Sequence, residues 1–215
     1  MKRTILAILL GLFASAFALG QKVPDQPAKL TSDDYASLLS KLKGGDTSIS
    51  FKDLRIAFSA TKGYSFSGPD REARNKFYKP FGEKNYKDAL KEAEKYLDSV
   101  YVDANAHFVA HVSAKELKDE KKADFHKTVL IGLIDSIRDG NDGLTAKTPF
   151  MVISIDEEYT LMRFLGLRHS SQSLQHSDGH TYDVFDAVDA ETNQARKVYF
   201  NIDIVWDAET KLFSK

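Results

Sequence analysis

Histidines and carboxylates are the residues in this chain whose types and spacing could do chemistry. His107 and His111 stand four apart, which places both side chains on one face of a helix, and His126 follows from the next apolar-periodic segment. Three imidazoles that converge would suit zinc, so a metal-dependent hydrolase or metal-binding protein using His107, His111 and His126 is one expectation. Phe108, however, follows His107 where the hydrolytic zinc signature carries glutamate, and His126 falls inside its own apolar stripe, as packing histidines do.

A second cluster is LRHSSQSLQHSDGHTYDVFD, residues 167 to 186, with His169, His176 and His180 beside Asp178, Asp183 and Asp186. Asp178 and Gly179 suit the two central positions of a tight hairpin turn, which pairs Ser177 with His180 and His176 with Thr181. Strand alternation then sends His176 and His180 to opposite faces of the ribbon, too far apart to share an ion at ~2 Å. A polar hairpin is the expectation.

DGNDG at 139 to 143 has Leu144 where a calcium loop needs its sixth-position glycine, and reads as a helix-ending turn. Glu157 and Glu158 could form a carboxylate pair, but adjacent residues at a helix start point in different directions and favour the helix dipole. The chain has no cysteine, no Gly-x-Ser-x-Gly, no phosphate-cradling loop and no dinucleotide fingerprint. No catalytic residue and no cofactor is therefore expected.

The elements that must position these groups fall into two parts, residues 31–145 and 146–215, of one expected α+β domain. Thr31 or Ser32 starts a helix that Gly44 and Gly45 end, and Ser50 with Asp53 forms a capping box ahead of a second. Pro69 stands at the first position of a brief third helix through Phe77, with Pro80 and Gly82 as terminators. The strongest periodicity runs from Asn85 to Ile137: a stripe of Tyr86, Ala89, Leu90, Ala93 and Leu97, a small-residue stripe of Ala106, Val109, Ala110, Ser113 and Ala114, and a third helix carrying His126 and Leu130. After Thr148, PFMVISI reads as a short strand and DEEYTLMRFLG as a helix capped by Asp156. Strands follow at about 167 to 175, 180 to 188 and 196 to 205, an antiparallel meander.

Composition sets the compartment and excludes some partners. MKRTILAILLGLFASAFALGQ places Lys2 and Arg3 before an apolar run ending in small residues, a secretory signal over 1–20 with cleavage after Ala18 or Gly20. A flexible leader, 21–30, follows. The expected destination is export, to the periplasm or the outside, with no membrane segment once the signal is cleaved. The full chain has net charge −1, with 30 basic and 31 acidic residues; losing Lys2 and Arg3 makes it more acidic, and nucleic acid is not an expected partner.

NYKDALKEAEKYL followed by DANAHFVAHVSAKEL resembles the second helix of one tetratricopeptide unit leading into the first helix of the next, carried by Tyr86, Ala89 and Leu90. The likeness spans about one repeat, and His111 stands where that motif has glycine or alanine, so it implies helix-hairpin packing and a peptide-binding groove but no solenoid. EEYTLMRFLGL, YDVFDAV and VYFNID resemble a family of exported bacterial proteins catalogued as a domain of unknown function (4919). That resemblance implies helices first and a sheet last, and carries no activity over to this chain.

The expected fold is thus α+β: six or seven N-terminal helices, including a tetratricopeptide-like helical hairpin, packed on a C-terminal antiparallel β-meander. The leading expected function is non-enzymatic binding of a protein or peptide partner. The alternatives are the histidine metal site and a small-ligand binder using Tyr182, Phe185, Tyr199, Phe200 and Trp206.

Overall fold

A computed structural model describes residues 29–214. The expected signal and its cleavage positions lie outside the described residues, as does the leader through residue 28. Six helices come first: α1 (Ser32–Lys43), α2 (Phe51–Phe58), α3 (Arg71–Gly82), α4 (Tyr86–Leu97), α5 (Ala104–Glu116) and α6 (Glu120–Arg138). Then follow β1 (Phe150–Met151), α7 (Ile155–Phe164), β2 (Leu167–Ser177), β3 (His180–Asp189), β4 (Ala195–Asn201) and α8 (Asp203–Phe213).

The helix starts are written in side chains. Thr31 and Asp34 form a reciprocal capping box on α1, Ser50 accepts from the Asp53 amide on α2, and Asp103 accepts from the Asn105 and Ala106 amides on α5. Each satisfies amides that would otherwise lack a partner at a helix N-terminus. The small-residue face of α5 is fully buried at Ala106, Val109, Ala110 and Ala114, which lets α4 and α6 approach closely on either side.

Four strands form one mixed sheet in the order β1-β4-β3-β2. The meander β2-β3-β4 is antiparallel as expected, whereas β1 pairs in parallel with β4 through Phe150 and Phe200. Two apolar clusters result, one among the helices around Leu54, Phe77, Ala106 and Leu133, the other under the sheet around Phe150, Leu161, Phe185 and Phe200. Ile134 of α6 packs against both.

Three local expectations need correction. Helix α3 begins at Arg71 with Asp70 as its cap and runs through Pro80 to Gly82; a proline in the last turn forfeits one amide bond, and the helix absorbs it. Helix α7 is capped at Ser154, which leaves the Asp156 side chain free for another task. The last strand stops at Asn201 instead of reaching 205, because Asn201 Oδ1 accepts from the Asp203 amide at 3.0 Å and turns the chain into α8. The apolar alternation continues across that junction, since Ile202 and Val205 are buried from a helix start, so periodicity alone could not see the break.

Candidate functional site

The first turn of α7 organises the junction between the helices and the sheet. Its three consecutive acids, Asp156, Glu157 and Glu158, point three ways, as neighbours on a helix must. Asp156 accepts from Arg74 of α3 through both terminal nitrogens, at 2.6 and 2.7 Å, while Arg74 Nε donates to Asp103 at 2.8 Å. Glu157 accepts from Arg55 of α2, Nε at 2.9 Å and Nη2 at 2.5 Å, and from the Ile153 amide at 2.8 Å. Arg55 is wholly buried and also donates to the Met151 carbonyl and Ser136 Oγ.

Glu158 is different. It is fully buried, and neither carboxyl oxygen has a donor among the described residues. Burial, with the Asp183 carboxyl of β3 beside it, pushes its pKa up to about 9, and burial raises that of Asp183 too. A raised pKa keeps Glu158 protonated, and in that form its hydroxyl can donate to Asp183, while Gln172 Nε2 donates to Asp183 at 2.7 Å.

Two of the expected histidines meet. His107 Nδ1 and His126 Nδ1 are 2.9 Å apart, and His107 Nε2 lies 2.9 Å from the Tyr101 carbonyl. A carbonyl only accepts, so His107 carries its proton on Nε2 and accepts from His126 Nδ1–H. This leaves His126 Nε2 free to face Glu94, 3.9 Å away, in a cleft of about 620 Å³ that Tyr101, Lys122 and Phe125 also line. Burial, reinforced by His126, pushes His107 down to about 3; burial likewise lowers His126. His111 does not join them: its Nδ1 is 2.9 Å from the Ala123 carbonyl. Among the described residues no group of three or more histidines and carboxylates stands where it could hold a metal ion, so the expected triad is present as a hydrogen-bonded pair.

The hairpin forms with the expected register, Ser177 opposite His180 and His176 opposite Thr181, around Asp178 and Gly179 at φ 53° and 81°. Its histidines have separate partners. His169 packs on Tyr159 and Phe185, His176 on Trp206, and His180 Nδ1 lies 2.6 Å from Asp203. Of the aromatics weighed as a ligand cleft, Phe185 and Phe200 are wholly buried core. The DGNDG turn ends α6 with Asp139 in the left-handed region, and Gly143 accepts from the Tyr199 amide, which stitches the turn to β4.

On the outer side of the α7 junction lies a cleft of about 400 Å³ lined by Arg71, Arg74, Asn75, Tyr78, Asp156 and Arg163. Phe164, the residue after Arg163, begins a partly exposed aromatic row. Phe164 meets Phe108 at 6.2 Å, Phe108 meets Phe81 at 6.1 Å, and Phe81 meets Tyr86 at 6.2 Å, all edge to face. Phe108 and Phe164 are each 39% exposed, while Phe81 and Tyr86 are half-buried, so a row drawn from α3, α4, α5 and α7 reaches solvent chiefly through its Phe108–Phe164 end.

Residues 22–211 match the family described as Domain of unknown function (DUF4919). The chain belongs to that family. No curated protein and no solved structure matches it. The match covers nearly the whole chain, and it is the geometry above that has to carry a function.

Sequence reasoning missed both buried arginines, although a signal for each was present. Phe51, Leu54, Arg55 and Phe58 share the i, i+3, i+4, i+7 spacing, and so do Arg74, Phe77, Tyr78 and Phe81. An arginine inside an apolar stripe needs a buried carboxylate, and DEE at 156–158 supplies them.

Proposed function

We propose that this chain is an exported, non-enzymatic protein that binds a partner protein or peptide, and that the row Tyr86–Phe81–Phe108–Phe164 is where the partner docks. The observation that carries the reading is a chain of ring contacts through four helices that ends at the surface in two exposed phenylalanines, Phe108 and Phe164. Scattered exposed apolar side chains are ordinary; rings stacked edge to face on one another form a contiguous patch, which exposes apolar area that a partner can cover. Aromatic anchors also lose little rotamer freedom on binding, which makes them effective hot spots. The signal-like first 20 residues support export, and the tetratricopeptide-like sequence of α4 and α5 supports a helical groove as the recognition element.

Selection from a displayed peptide library on the purified chain tests this reading. Recovered sequences are expected to be rich in large apolar residues and to lose binding to the Phe108→Ser/Phe164→Ser double variant. Recovery only of sequences that bind the double variant equally well would contradict it.

A further inference from the structure

We infer that the cleft lined by Arg71, Arg74, Asn75, Tyr78 and Arg163 is a carboxylate-binding subsite, placed so that a partner docked on the aromatic row sets an acidic group into it; this assignment rests on the docking role proposed above for that row.

The subsite is built from within. Arg74 is mostly buried and rigidly held, its guanidinium spanning Asp103 and Asp156 with three hydrogen bonds of 2.6 to 2.8 Å. Asn105, which is buried, orients Arg163: its Oδ1 accepts from Arg163 Nη1 at 3.0 Å, while its Nδ2 donates to Thr160 Oγ1 at 2.9 Å. Arg163 makes no ion pair among the described residues, and its Nε and Nη2 donate to no other side chain or carbonyl there. Tyr78 is half-buried, its ring fixed against Phe77 at 4.6 Å, and its hydroxyl also lacks a partner among those residues. Arg71 and Asn75 complete the rim. A preorganised guanidinium fork, a phenol and an amide facing one small cleft are the donor set that a carboxylate satisfies.

Charge chooses among anions. Three arginines stand against two carboxylates, Asp103 and Asp156, both of which are consumed by Arg74. The excess is a single positive charge, which matches a carboxylate and leaves a dianionic phosphate uncompensated. Position chooses among carboxylates. Tyr78 of the cleft and Phe81 of the row stand three apart on α3, on one face of that helix, so an acid in the cleft lies next to apolar surface on the row. The group recognised is therefore a carboxylate one or two residues from a large apolar side chain, whether a chain-terminal carboxylate or an aspartate or glutamate.

The test uses N-acetylphenylalanine and its neutral amide as probes. The side-chain Nε–H signals of Arg71 and Arg163 are followed by NMR on the intact chain, with probe up to about 10 mM, enough to half-fill or better a millimolar site. The acid is expected to shift both arginine signals, the amide to leave them in place, and added salt to weaken the effect. Arg163→Gln, Arg71→Gln and Tyr78→Phe are each expected to weaken the acid, Arg163→Gln by about tenfold or more, as loss of a charge-assisted hydrogen bond requires. Arg71→Gln serves as the variant with no structural burden, because Arg71 is exposed. N-acetyl-phenylalanyl-glutamic acid α-amide, which keeps the ring and carries only a side-chain carboxylate, binding as well as N-acetylphenylalanine would place the side-chain source alongside the terminal one; binding only by the latter would assign the terminal carboxylate.

Three results would overturn the assignment. One is an absence of shift at either arginine; another is inorganic phosphate binding more tightly than the acid. The third is equal binding of acid and amide that Phe108→Ser abolishes and Arg163→Gln does not, which leaves the aromatic docking surface standing and removes the anion subsite. Recovery only of library peptides that bind independently of Phe108 and Phe164 removes the docking surface itself, so the two failures are told apart.

Discussion

Glu158 of α7 and Asp183 of β3 form a buried carboxyl pair in which one proton must serve two side chains. In the folded chain Glu158 holds its proton up to about pH 9, whereas in the unfolded chain a glutamate releases it near the ordinary value of about 4.5. A raised folded pKa gives stability that is fully present below the unfolded pKa and lost as pH rises toward the folded one. Stability is therefore expected to decline from about pH 4.5 to about 9, with Asp183 adding in the same direction. Glu158→Gln supplies a permanent donor to Asp183 and is expected to flatten that decline, gaining roughly 1–3 kcal/mol at pH 8 in urea titrations. A variant less stable than the parent at pH 8 would remove the shared-proton account.

The histidine pair acts with the opposite sign. His107 stays neutral in the fold down to about pH 3, while the unfolded chain takes up that proton near 6.5. Stability from this group is present above pH 6.5 and is lost as pH falls toward 3. His107→Gln is expected to weaken the acid-side loss while leaving the alkaline decline untouched, which separates the two groups in one pair of pH series.

Arg55 and Glu157 join α2 to α7 in the interior, so removing either leaves the other charged and unpaired. Arg55→Met is expected to cost about 3–5 kcal/mol in denaturant melts, and Arg55→Met with Glu157→Leu to recover most of that. Additive losses in the double variant would contradict the coupling.

Gly68 has φ +101°, and a Cβ there would lie 2.4 Å from Asp156 Cβ. Gly68→Ala is expected to destabilise by roughly 1–3 kcal/mol and to displace Asp156 from Arg74. A melting temperature unchanged from the parent would show that the loop around Gly68 can give way.

What was legible in the sequence follows physical locality. Caps, turns and apolar stripes are short-range signals, and they located α1, α2, α4, α5 and α6 and the register of the β2-β3 hairpin at Ser177 and His180. The strand-to-helix switch at Asn201–Asp203 hid behind an apolar alternation that both conformations can bury. The parallel pairing of Phe150 with Phe200 brings together residues 50 positions apart and leaves no local trace. The candidate site was the least legible part. Arg74 lies on α3, Asp103 at the start of α5, and Asp156 and Arg163 on α7, three segments that only tertiary packing brings together. Histidine spacing put His107 and His111 on one helix face but could not see that the rings of His107 and His126 would bond to each other, or that His111 would turn to the Ala123 carbonyl.

The central claim is that the aromatic row is a docking surface. Fluorescence anisotropy of a library-selected peptide, titrated with the parent chain and with Phe108→Ser/Phe164→Ser, tests it most directly. Both side chains are substantially exposed, so the double variant is expected to melt close to the parent. The account predicts peptide binding at least about tenfold weaker in the double variant, the loss expected when hot-spot rings are truncated. Equal affinity for the two proteins, with folding intact in both, would contradict it.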